Sequence, residues 1–323
     1  MTERPAVGVL RSGAHGQSTD ALTQQLRERL PDCEVVRAAT PSAERELLSD
    51  TSVVVGHWFR EALLDHAEGL RLFACAAAGV GHLPLEELQA RGVAVTNASG
   101  VHGPPIAEQV IGNILVFVRN LHIGWERGRK GEWRHYQGFQ KELGDSTVTV
   151  VGLGAIGQAI VERLEPFGPH TIGVRYTPSK GGSTDEVVGF TETDFHDALA
   201  RTDYLVLACP LTETTRGLVD RAAFETLPPK SVIVNIGRGP TVDTDALTNA
   251  VQRNAIRGAA LDVTDPEPLP ADHDLWAFPN VHITPHNAGY TPNYYARVAD
   301  IVARNVDHVV ETGEYSGLKN QVV

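Results

Sequence analysis

Residues suited to acid–base and anion-binding chemistry follow three apolar runs in the second half of the sequence. Arg238 comes after SVIVNIG, Glu267 lies in the proline-rich stretch after GAALDV, and His286 comes after VHITP. A guanidinium binds carboxylates through a planar fork, and an imidazole, whose ordinary pKa is about 6.5, exchanges protons near neutral pH. Because ligands of open α/β sheets bind at the carboxyl ends of strands, all three lie where a site is expected. Taken singly, the arginine also fits a surface ion pair and the histidine an ordinary loop.

The sequence GLGAIG forms a second group with chemical meaning. It follows the β-rich run TVTVV and precedes a helical pattern that starts at Gln158. Gly152 would permit a tight turn, Gly154 would let the backbone approach a pyrophosphate, and Gly157 would let the helix pack closely on the strand. The helix N-terminus would then offer N–H groups to the phosphates. This context predicts dinucleotide binding, with a plain strand-to-helix turn as the alternative.

The position that distinguishes NAD from NADP departs from the NAD pattern. In NAD-binding proteins an acidic residue about 20 positions after the glycines holds the ribose hydroxyls. Here the predicted strand HTIGV is followed by Arg175, Tyr176 and Thr177, with Lys180 in the same loop. A guanidinium and hydroxyl donors suit the 2′-phosphate of NADP. The sequence therefore predicts NADP as the cofactor, with NAD possible but weaker; the alternative is a solvent-facing arginine that makes no cofactor contact.

The elements that must position these residues alternate strands with helices. The predicted strands are short apolar runs, at 6–10, 52–56, 70–79, 93–98, 147–151, 170–174, 204–209, 231–237, 258–263 and 281–285. The predicted helices are amphipathic or apolar stretches, at 21–30, 83–92, 104–120 and 291–313. This alternation indicates an α/β fold with parallel sheets, in two similar domains with a cleft between them.

Composition and charge narrow the possible partners and compartment. A formal net charge of -12 argues against nucleic acid and against an anionic membrane as the main partner. Three scattered cysteines suggest neither a disulfide framework nor a zinc site, and the N-terminus has no long apolar run, so a cytoplasmic location is expected. The 28 basic residues include only five lysines, which suits a salt-rich cytoplasm or simply a GC-rich genome.

Long ordered segments of the chain resemble the D-isomer-specific 2-hydroxyacid dehydrogenases. The matching segments are GLGAIGQAIVERLEPFG, CPLTETTRGLV, LPPKSVIVNIGRGPTVD, AALDVTDPEPLP and NVHITPHNAG, and a looser match begins at AAAGVGHLPLEEL. The resemblance implies two Rossmann-like domains. Residues 1–100 with 290–323 would form the substrate domain, and residues 101–289 would form the dinucleotide-binding domain. It also implies hydride transfer between NAD(P)H and a small 2-keto acid, giving a D-2-hydroxy acid, as in glyoxylate/hydroxypyruvate reductases.

The resemblance also implies roles for individual residues. His286 would protonate the keto oxygen, Glu267 would orient the imidazole and favour its charged form, and Arg238 would bind the substrate carboxylate. The predicted substrate-binding residues are Ala78, Gly79, Val80, Gly81, Arg238 and His286. The predicted cofactor-binding residues are Gly152, Gly154, Ala155, Ile156, Gly157, Arg175, Tyr176, Thr177, Cys209, Pro210, Thr215, Ile236, Gly237, Arg238, Asp262, His286, Ala288 and Gly289.

Four further expectations accompany this interpretation. Gly81 departs from the family, in which an aspartate or similar residue is common there, and His57 and Trp133 would wall the pocket. No metal is expected, because the histidines show no ligand spacing. The apolar run at 104–120 predicts a homodimer, unless the helix is buried within its own domain. The alternative function is a nucleotide-sensing, corepressor-like binding protein of the same superfamily.

Overall fold

The computed structural model describes residues 4–14, 16–136 and 140–323, and it divides into two compact units. The first unit comprises the residues up to His102 together with Tyr290–Val323, and the second comprises Gly103–Gly289. Each unit is built on one sheet in which every strand pairing is parallel, with five strands in the first and seven in the second. The α/β class with parallel sheets that the sequence predicts is confirmed.

The first unit is a sheet covered by helices on both faces. Its elements in chain order are β1 (Val7–Val9), α1 (Thr19–Arg29), β2 (Val35–Arg37), α2 (Pro41–Asp50), β3 (Val53–Gly56), β4 (Leu72–Cys75), α3 (Leu85–Ala90), β5 (Ala94–Thr96) and α10 (Tyr294–Thr312). The strand order is β2-β1-β3-β4-β5. Alternate residues of the strands point into two cores, one shared with α1 and α10 and the other with α2 and α3. Continuous apolar strands are what burial on both faces requires.

The second unit repeats this layering on a larger sheet. Its elements in chain order are α4 (Gly103–Val118), α5 (Leu121–Arg129), β6 (Thr147–Val151), α6 (Ala155–Leu164), β7 (His170–Val174), β8 (Glu186–Val188), α7 (Glu192–Leu199), β9 (Tyr204–Leu207), α8 (Arg221–Thr226), β10 (Val232–Asn235), α9 (Thr244–Gln252), β11 (Gly258–Leu261) and β12 (Val281–Ile283). The strand order is β12-β11-β10-β9-β6-β7-β8. Helices α4 and α6 cover one face, and α7, α8 and α9 cover the other.

The structure differs from the predicted elements in several places, and it contains helices α2, α5, α7, α8 and α9, which the sequence analysis does not predict. The edge strands β2 and β8 are absent from the prediction, because each has only three residues and lacks a continuous apolar run. The run at 70–79 is a strand only as far as Cys75, and its remainder forms a loop. The helix at 104–120 ends at Val118, and α5 begins after Asn120, whose left-handed backbone breaks the helical path. Within the described ranges, none of the helices has the length and apolar character that a bilayer crossing requires.

Candidate active site

Three neighbouring strands of the second unit place the predicted catalytic residues at the carboxyl end of the sheet. Strands β10, β11 and β12 are in register, with Asn235 opposite Leu261 and Leu261 opposite Ile283. Arg238 lies three residues beyond the end of β10, and His286 lies three residues beyond the end of β12. The parallel arrangement therefore places both residues on the carboxyl side of the sheet, where ligands of such folds bind.

His286 and Glu267 form a hydrogen-bonded pair. The imidazole Nδ1 lies 2.6 Å from Oε1 of Glu267. Because an ionised carboxylate can only accept, Nδ1 carries the proton, and Nε2 is the nitrogen left for proton exchange with a ligand. The side chains are 52% and 42% exposed, so a ligand can reach the pair from solvent. An open pocket of about 310 Å³ adjoins it and includes Trp276 and Leu269 among its lining residues.

The backbone of His286 is held in an unusual conformation. Its φ of 51° falls in the left-handed region, which a residue other than glycine adopts at a cost. The amide of His286 donates to the carbonyls of Thr284 and Asp262, at 2.9 Å each. The buried Asp262 carboxylate accepts from the next two amides, Asn287 at 3.0 Å and Ala288 at 2.9 Å. The turn that presents the imidazole is therefore fixed on both sides of His286.

Arg238 presents a guanidinium that is available to an anion. Its carbonyl is held by hydrogen bonds from Asn235 Nδ2 at 3.1 Å and Thr241 Oγ1 at 2.7 Å, which fix the backbone of the loop. Its Nη1 donates to the carbonyl of Gly237 at 2.7 Å. Across the part of the chain that the structure describes, no carboxylate lies within ion-pair distance of this exposed side chain. The surface ion pair that its sequence position also allowed is therefore not formed in the described chain.

The glycine-rich loop has the geometry that its glycines require. Gly152 has a φ of 97°, and a Cβ atom there would lie 2.8 Å from the backbone nitrogen of Cys209. A Cβ at Gly157 would lie 1.9 Å from the carbonyl oxygen of Gly152. Helix α6 begins at Ala155 directly after this turn, with Gly154 as its N-cap residue. The loop thus leaves backbone N–H groups at the N-terminus of a helix, which is a favourable place for a phosphate.

An open pocket of about 520 Å³ lies beside the glycine-rich loop. Its lining residues are Gly152, Leu153, Gly154, Arg175, Tyr176, Thr177, Lys180, Phe190, Cys209, Pro210, Thr212, Thr214 and Thr215. Eight of the predicted cofactor-binding residues are among them. Leu153, Phe190, Thr212 and Thr214 were not predicted; the threonines lie in the matching segment CPLTETTRGLV and could have been found there, whereas nothing in the sequence singles out Phe190.

The electrostatic character of this pocket comes from Arg175 and Lys180. Among the lining residues that the structure describes, Arg175 and Lys180 are the two that carry a charge, and none carries a carboxylate. Arg175 follows β7 and its Nη1 donates to the carbonyl of Gly181, so the loop holds the guanidinium at the pocket. Tyr176 is 81% exposed and lines the same pocket. Burial raises the pKa of the Cys209 thiol to about 11, so this lining residue is an uncharged thiol near neutral pH.

The other predicted cofactor residues lie at strand and helix ends around the same edge of the sheet. Ile236 and Gly237 follow β10 directly, and Ile236 donates to the carbonyl of Leu207 at 3.2 Å. Ile156 lies in the first turn of α6. Ala288 is buried, and its amide is one of those held by Asp262. Gly289 is the last residue of the second unit.

The predicted substrate cradle, residues 78–81, lies in the first unit after β4. The side chain of Asn97 donates to the carbonyl of Ala78 at 2.9 Å, and the amide of Leu83 donates to the carbonyl of Val80 at 3.0 Å. The amides of residues 78–81 donate to no group that the structure describes, and Gly79 and Gly81 are exposed. Consecutive open N–H groups of this kind form a cavity suited to an anion.

Aromatic rings surround the loop that follows β3 in the same unit. The carbonyl of His57 lies 2.8 Å from Nε2 of His82, and the rings of Trp58 and His82 are 4.3 Å apart between centroids. Trp58 and His82 are not among the predicted site residues, because no spacing marks them. Trp133, which was expected to wall the pocket, is 98% exposed in the second unit.

Comparison with known proteins identifies the family. The fold and the glycine-rich loop define a dinucleotide-binding protein of the parallel α/β type. Residues 111–288 match the sequence model of the D-isomer specific 2-hydroxyacid dehydrogenase family, NAD binding domain. The human glyoxylate reductase/hydroxypyruvate reductase is 32% identical over 297 residues, which are 86% of this chain and 88% of the relative. The chain belongs to the D-isomer specific 2-hydroxyacid dehydrogenase family.

Solved structures agree over nearly the whole chain. An NADPH-dependent glyoxylate/hydroxypyruvate reductase from Sinorhizobium meliloti is 29% identical, with a TM-score of 0.70 and coverage of 99% of this chain and 98% of the other. A family member from Aeromonas salmonicida is 28% identical, with a TM-score of 0.75 and coverage of 99% of both chains. The chain is therefore a 2-hydroxyacid dehydrogenase that uses NAD(P), and the alternative of a corepressor-like binding protein is not favoured.

Proposed function

We propose that this protein reduces a small 2-keto acid, of the glyoxylate and hydroxypyruvate class, to the D-2-hydroxy acid with NADPH. The observation that carries the proposal is the His286–Glu267 pair, at 2.6 Å, at the carboxyl end of the same sheet as Arg238, which has no carboxylate partner among the described residues. Such a set can supply a proton to a keto oxygen and bind a carboxylate. The names of the human and Sinorhizobium relatives support the choice of substrate class.

His286 acts as the general acid in this proposal. When bound, the nicotinamide supplies a hydride to the keto carbon, and the negative charge that develops on the keto oxygen must be neutralised. Nε2 of the charged imidazole donates its proton to that oxygen. Glu267 accepts from Nδ1, which fixes the ring orientation and stabilises the charged ring before the proton leaves. In the reverse direction, the neutral ring accepts the proton of the hydroxy acid.

Arg238 binds the substrate carboxylate in this proposal. The guanidinium offers a fork of N–H donors that matches a carboxylate and that also polarises a neighbouring carbonyl. In the first unit, the open amides of residues 78–81 are suited to an anion, and the family resemblance implies a substrate-binding role for them. Gly81 retains its N–H although it lacks the side chain that is common in the family. The first unit therefore acts as the substrate domain and the second as the dinucleotide-binding domain.

The pocket beside the glycine-rich loop holds the cofactor. The amides at the start of α6 bind the pyrophosphate, and Arg175 with Lys180 binds the 2′-phosphate of NADP. Tyr176 and Thr177 add hydroxyl donors to the same subsite. Asp262 is buried and its carboxylate accepts bonds from neighbouring protein groups, so its contribution passes through the loop that carries Ala288.

Cofactor preference is tested by exchanging the charge at Arg175. One charged hydrogen-bonded pair of roughly 1.5–3 kcal/mol corresponds to a preference for NADPH over NADH of about one to two orders of magnitude in kcat/KM. Arg175→Asp should reverse or abolish that preference, and Arg201→Asp, on the surface outside the pocket, serves as the charge-matched control. Equal use of both cofactors by the wild type, or an unchanged preference in Arg175→Asp, would reject the assignment.

The substrate is tested with a panel of keto acids. Glyoxylate, hydroxypyruvate, pyruvate and a bulkier 2-keto acid are compared by kcat/KM under identical salt. We expect the two smallest hydrophilic acids to be reduced most efficiently. A preference for the bulky acid would reject the proposed substrate class while leaving the enzyme class intact.

We also propose a homodimer in the cytoplasm. Helix α4 directs most of its apolar residues into its own unit, so the surface left for a partner is α5, which has no buried residue. Trp125 and Trp133 are 57% and 98% exposed in this region. Residues 119–141 carry six Lys or Arg and two Glu in a chain of net charge -12, so basic residues are concentrated in this region.

Light scattering tests this assembly. The dimer gives twice the 34.9 kDa of one chain at micromolar protein in both low and high salt. The mass of a single chain in both conditions would reject it. The three free cysteines, Cys33, Cys75 and Cys209, are consistent with a reducing compartment.

A further inference from the structure

The position of His286 depends on its backbone more than on packing of its side chain. The imidazole and the Glu267 carboxylate are both about half exposed, so no surrounding core holds them. At the same time, the left-handed φ of His286 disfavours this turn. A turn of this kind persists only where its surroundings determine it, and those surroundings converge on Asp262.

The Asp262 carboxylate has two partners besides the amides of the turn. Its Oδ1 accepts a short hydrogen bond from the hydroxyl of Thr284 and another, at 3.0 Å, from the side-chain amide of Gln109. The amide of Gln109 also donates to Oγ1 of Thr284, again at 3.0 Å. The three side chains form a closed set in which each donor has an acceptor, and all belong to the second unit.

The direction of the donors in this set is specific. The two hydrogens of the Gln109 amide are used on Asp262 and Thr284, and the single hydroxyl hydrogen of Thr284 is used on Asp262. A glutamate at position 109 would be similar in size but would face the Asp262 carboxylate with a second negative charge. The network therefore requires an amide on α4 and a hydroxyl beside β12, and it ties that helix to the turn.

We propose that Gln109 and Thr284 are positioning residues that act through Asp262 to hold the turn presenting His286 to Glu267. Neither residue contacts the reacting atoms, and nothing in their sequence positions marks them for this role. The inference rests on the proposed function, because His286 must be the proton donor for the turn to affect catalysis. Without the network the turn relaxes, and the Nδ1–Oε1 contact with Glu267 lengthens.

A matched pair of substitutions at Thr284 tests the proposal. Thr284→Val preserves the shape of the side chain but removes the hydroxyl, whereas Thr284→Ser retains the hydroxyl. We expect Thr284→Val to lower kcat by about 10- to 100-fold, because a displacement of about 1 Å has costs of this size, and to move the pH profile of kcat to lower pH. NADPH should still bind to Thr284→Val, as measured by fluorescence, and Thr284→Ser should remain near the wild type.

Gln109 gives an independent arm of the same experiment. Gln109→Leu and Gln109→Glu should each reproduce the loss of kcat and the displaced pH profile. The double variant with Thr284→Val should be less impaired than the product of the two single effects, because both act through one network. A normal kcat and pH profile in Thr284→Val would overturn the proposal, and so would loss of thermal stability alone or equal impairment of Thr284→Ser.

A spectroscopic measurement separates this inference from the proposed function. NMR spectra are recorded on protein that contains isotope-labelled histidine and no substrate. The signals of His286 are those that disappear in His286→Ala. The far-downfield Nδ1 proton of the Glu267 contact should be present in the wild type and in Thr284→Ser and lost in Thr284→Val. If the wild type reduces no keto acid while this pattern holds, the proposed function fails and the positioning role stands. If the signal persists in Thr284→Val, the positioning role fails whatever the activity.

Discussion

Two contacts of the second unit place a histidine in opposite environments: one histidine pairs with a glutamate, and the other packs against a second histidine. His286 pairs with the carboxylate of Glu267 at the open edge of the sheet, and both side chains are about half exposed. His122 and His282, by contrast, pack ring against ring with centroids 5.2 Å apart. The first pair combines access to solvent with a partner that stabilises a charged ring.

The His122–His282 pair is half-buried and packs against an aromatic ring. Both rings lie against Phe117, with centroids 5.3 and 5.2 Å away. Burial lowers the pKa of both imidazoles, and Arg257 lowers that of His122 further, while Glu126 has the opposite effect. A neutral ring in this position fills space and does not exchange protons with a ligand. Residue type alone therefore does not determine the role; the partner and the access to solvent do.

The largest expected effect comes from removing the imidazole of His286. His286→Ala should lower kcat for keto acid reduction by about 10²–10⁴-fold, because the general acid is lost, while NADPH still binds. His282→Gln is the matched control, and its kcat should remain near that of the wild type. Steady-state kinetics with glyoxylate measures both. Comparable losses in the two variants would mean that the difference between the two pairs has no catalytic meaning.

The second prediction concerns Glu267 and the pH profile of kcat. The reduction requires a protonated general acid, so we expect kcat to fall as the pH rises. Glu267→Gln removes the negative charge that favours the charged ring, and we expect this fall to occur at lower pH than in the wild type. The measurement is kcat against pH with saturating substrate. Coincident profiles would show that Glu267 is not coupled to the transferred proton.

The His122–His282 pair should instead affect how the stability of the protein depends on pH. His122 faces His282, Arg257 and Glu126, and burial lowers the pKa of both imidazoles below that of an unfolded histidine. The unfolded chain therefore binds more protons, and the stabilisation present above about pH 6.5 is lost as the pH falls. We expect the Tm to decrease from about pH 7 to about pH 5.

The control for this prediction is a pair of single substitutions. His122→Phe keeps a ring in contact with Phe117 and removes one titrating group, so the decrease of Tm with acid should become smaller. His308→Phe, on an exposed part of the first unit, should leave the decrease unchanged. An equal decrease in the wild type and in His122→Phe would assign the acid sensitivity to other groups.

The smallest expected effect concerns the thiols. Burial raises the pKa of Cys209 to about 11 and also raises that of Cys75, so both thiols resist alkylation near neutral pH. Cys33 is only partly buried and should react first with iodoacetamide. Mass spectrometry of the digested protein identifies the modified residue. Preferential labelling of Cys209 would contradict the description of the cofactor pocket.

The sequence predicts the fold where a residue type is required by backbone geometry. Gly152 illustrates this, because a φ of 97° and the nearby Cys209 backbone exclude a side chain. The central strands were equally predictable, since burial on both faces demands continuous apolar runs. The edge strands β2 and β8 lack that requirement and were missed. The helix predicted at 104–120 ends two residues early, at Val118, and α5, which follows the left-handed Asn120, was missed.

The candidate site was predictable in part. Arg238, Glu267 and His286 could be selected through a resemblance in long segments, and the structure brings the last two together. Gln109 and Thr284 could not be selected, because their hydrogen bonds join a helix and a strand that are distant in the sequence. Spacing along the chain contains no information about such contacts, which arise only when α4 packs on the sheet.

The central claim is tested most directly by mixing the wild-type protein with NADPH and hydroxypyruvate and analysing the product. The near-ultraviolet absorbance of NADPH should decay only when the keto acid is present, and chiral chromatography should find glycerate of the D configuration. The absence of keto-acid-dependent NADPH oxidation, or an L product, would contradict the account.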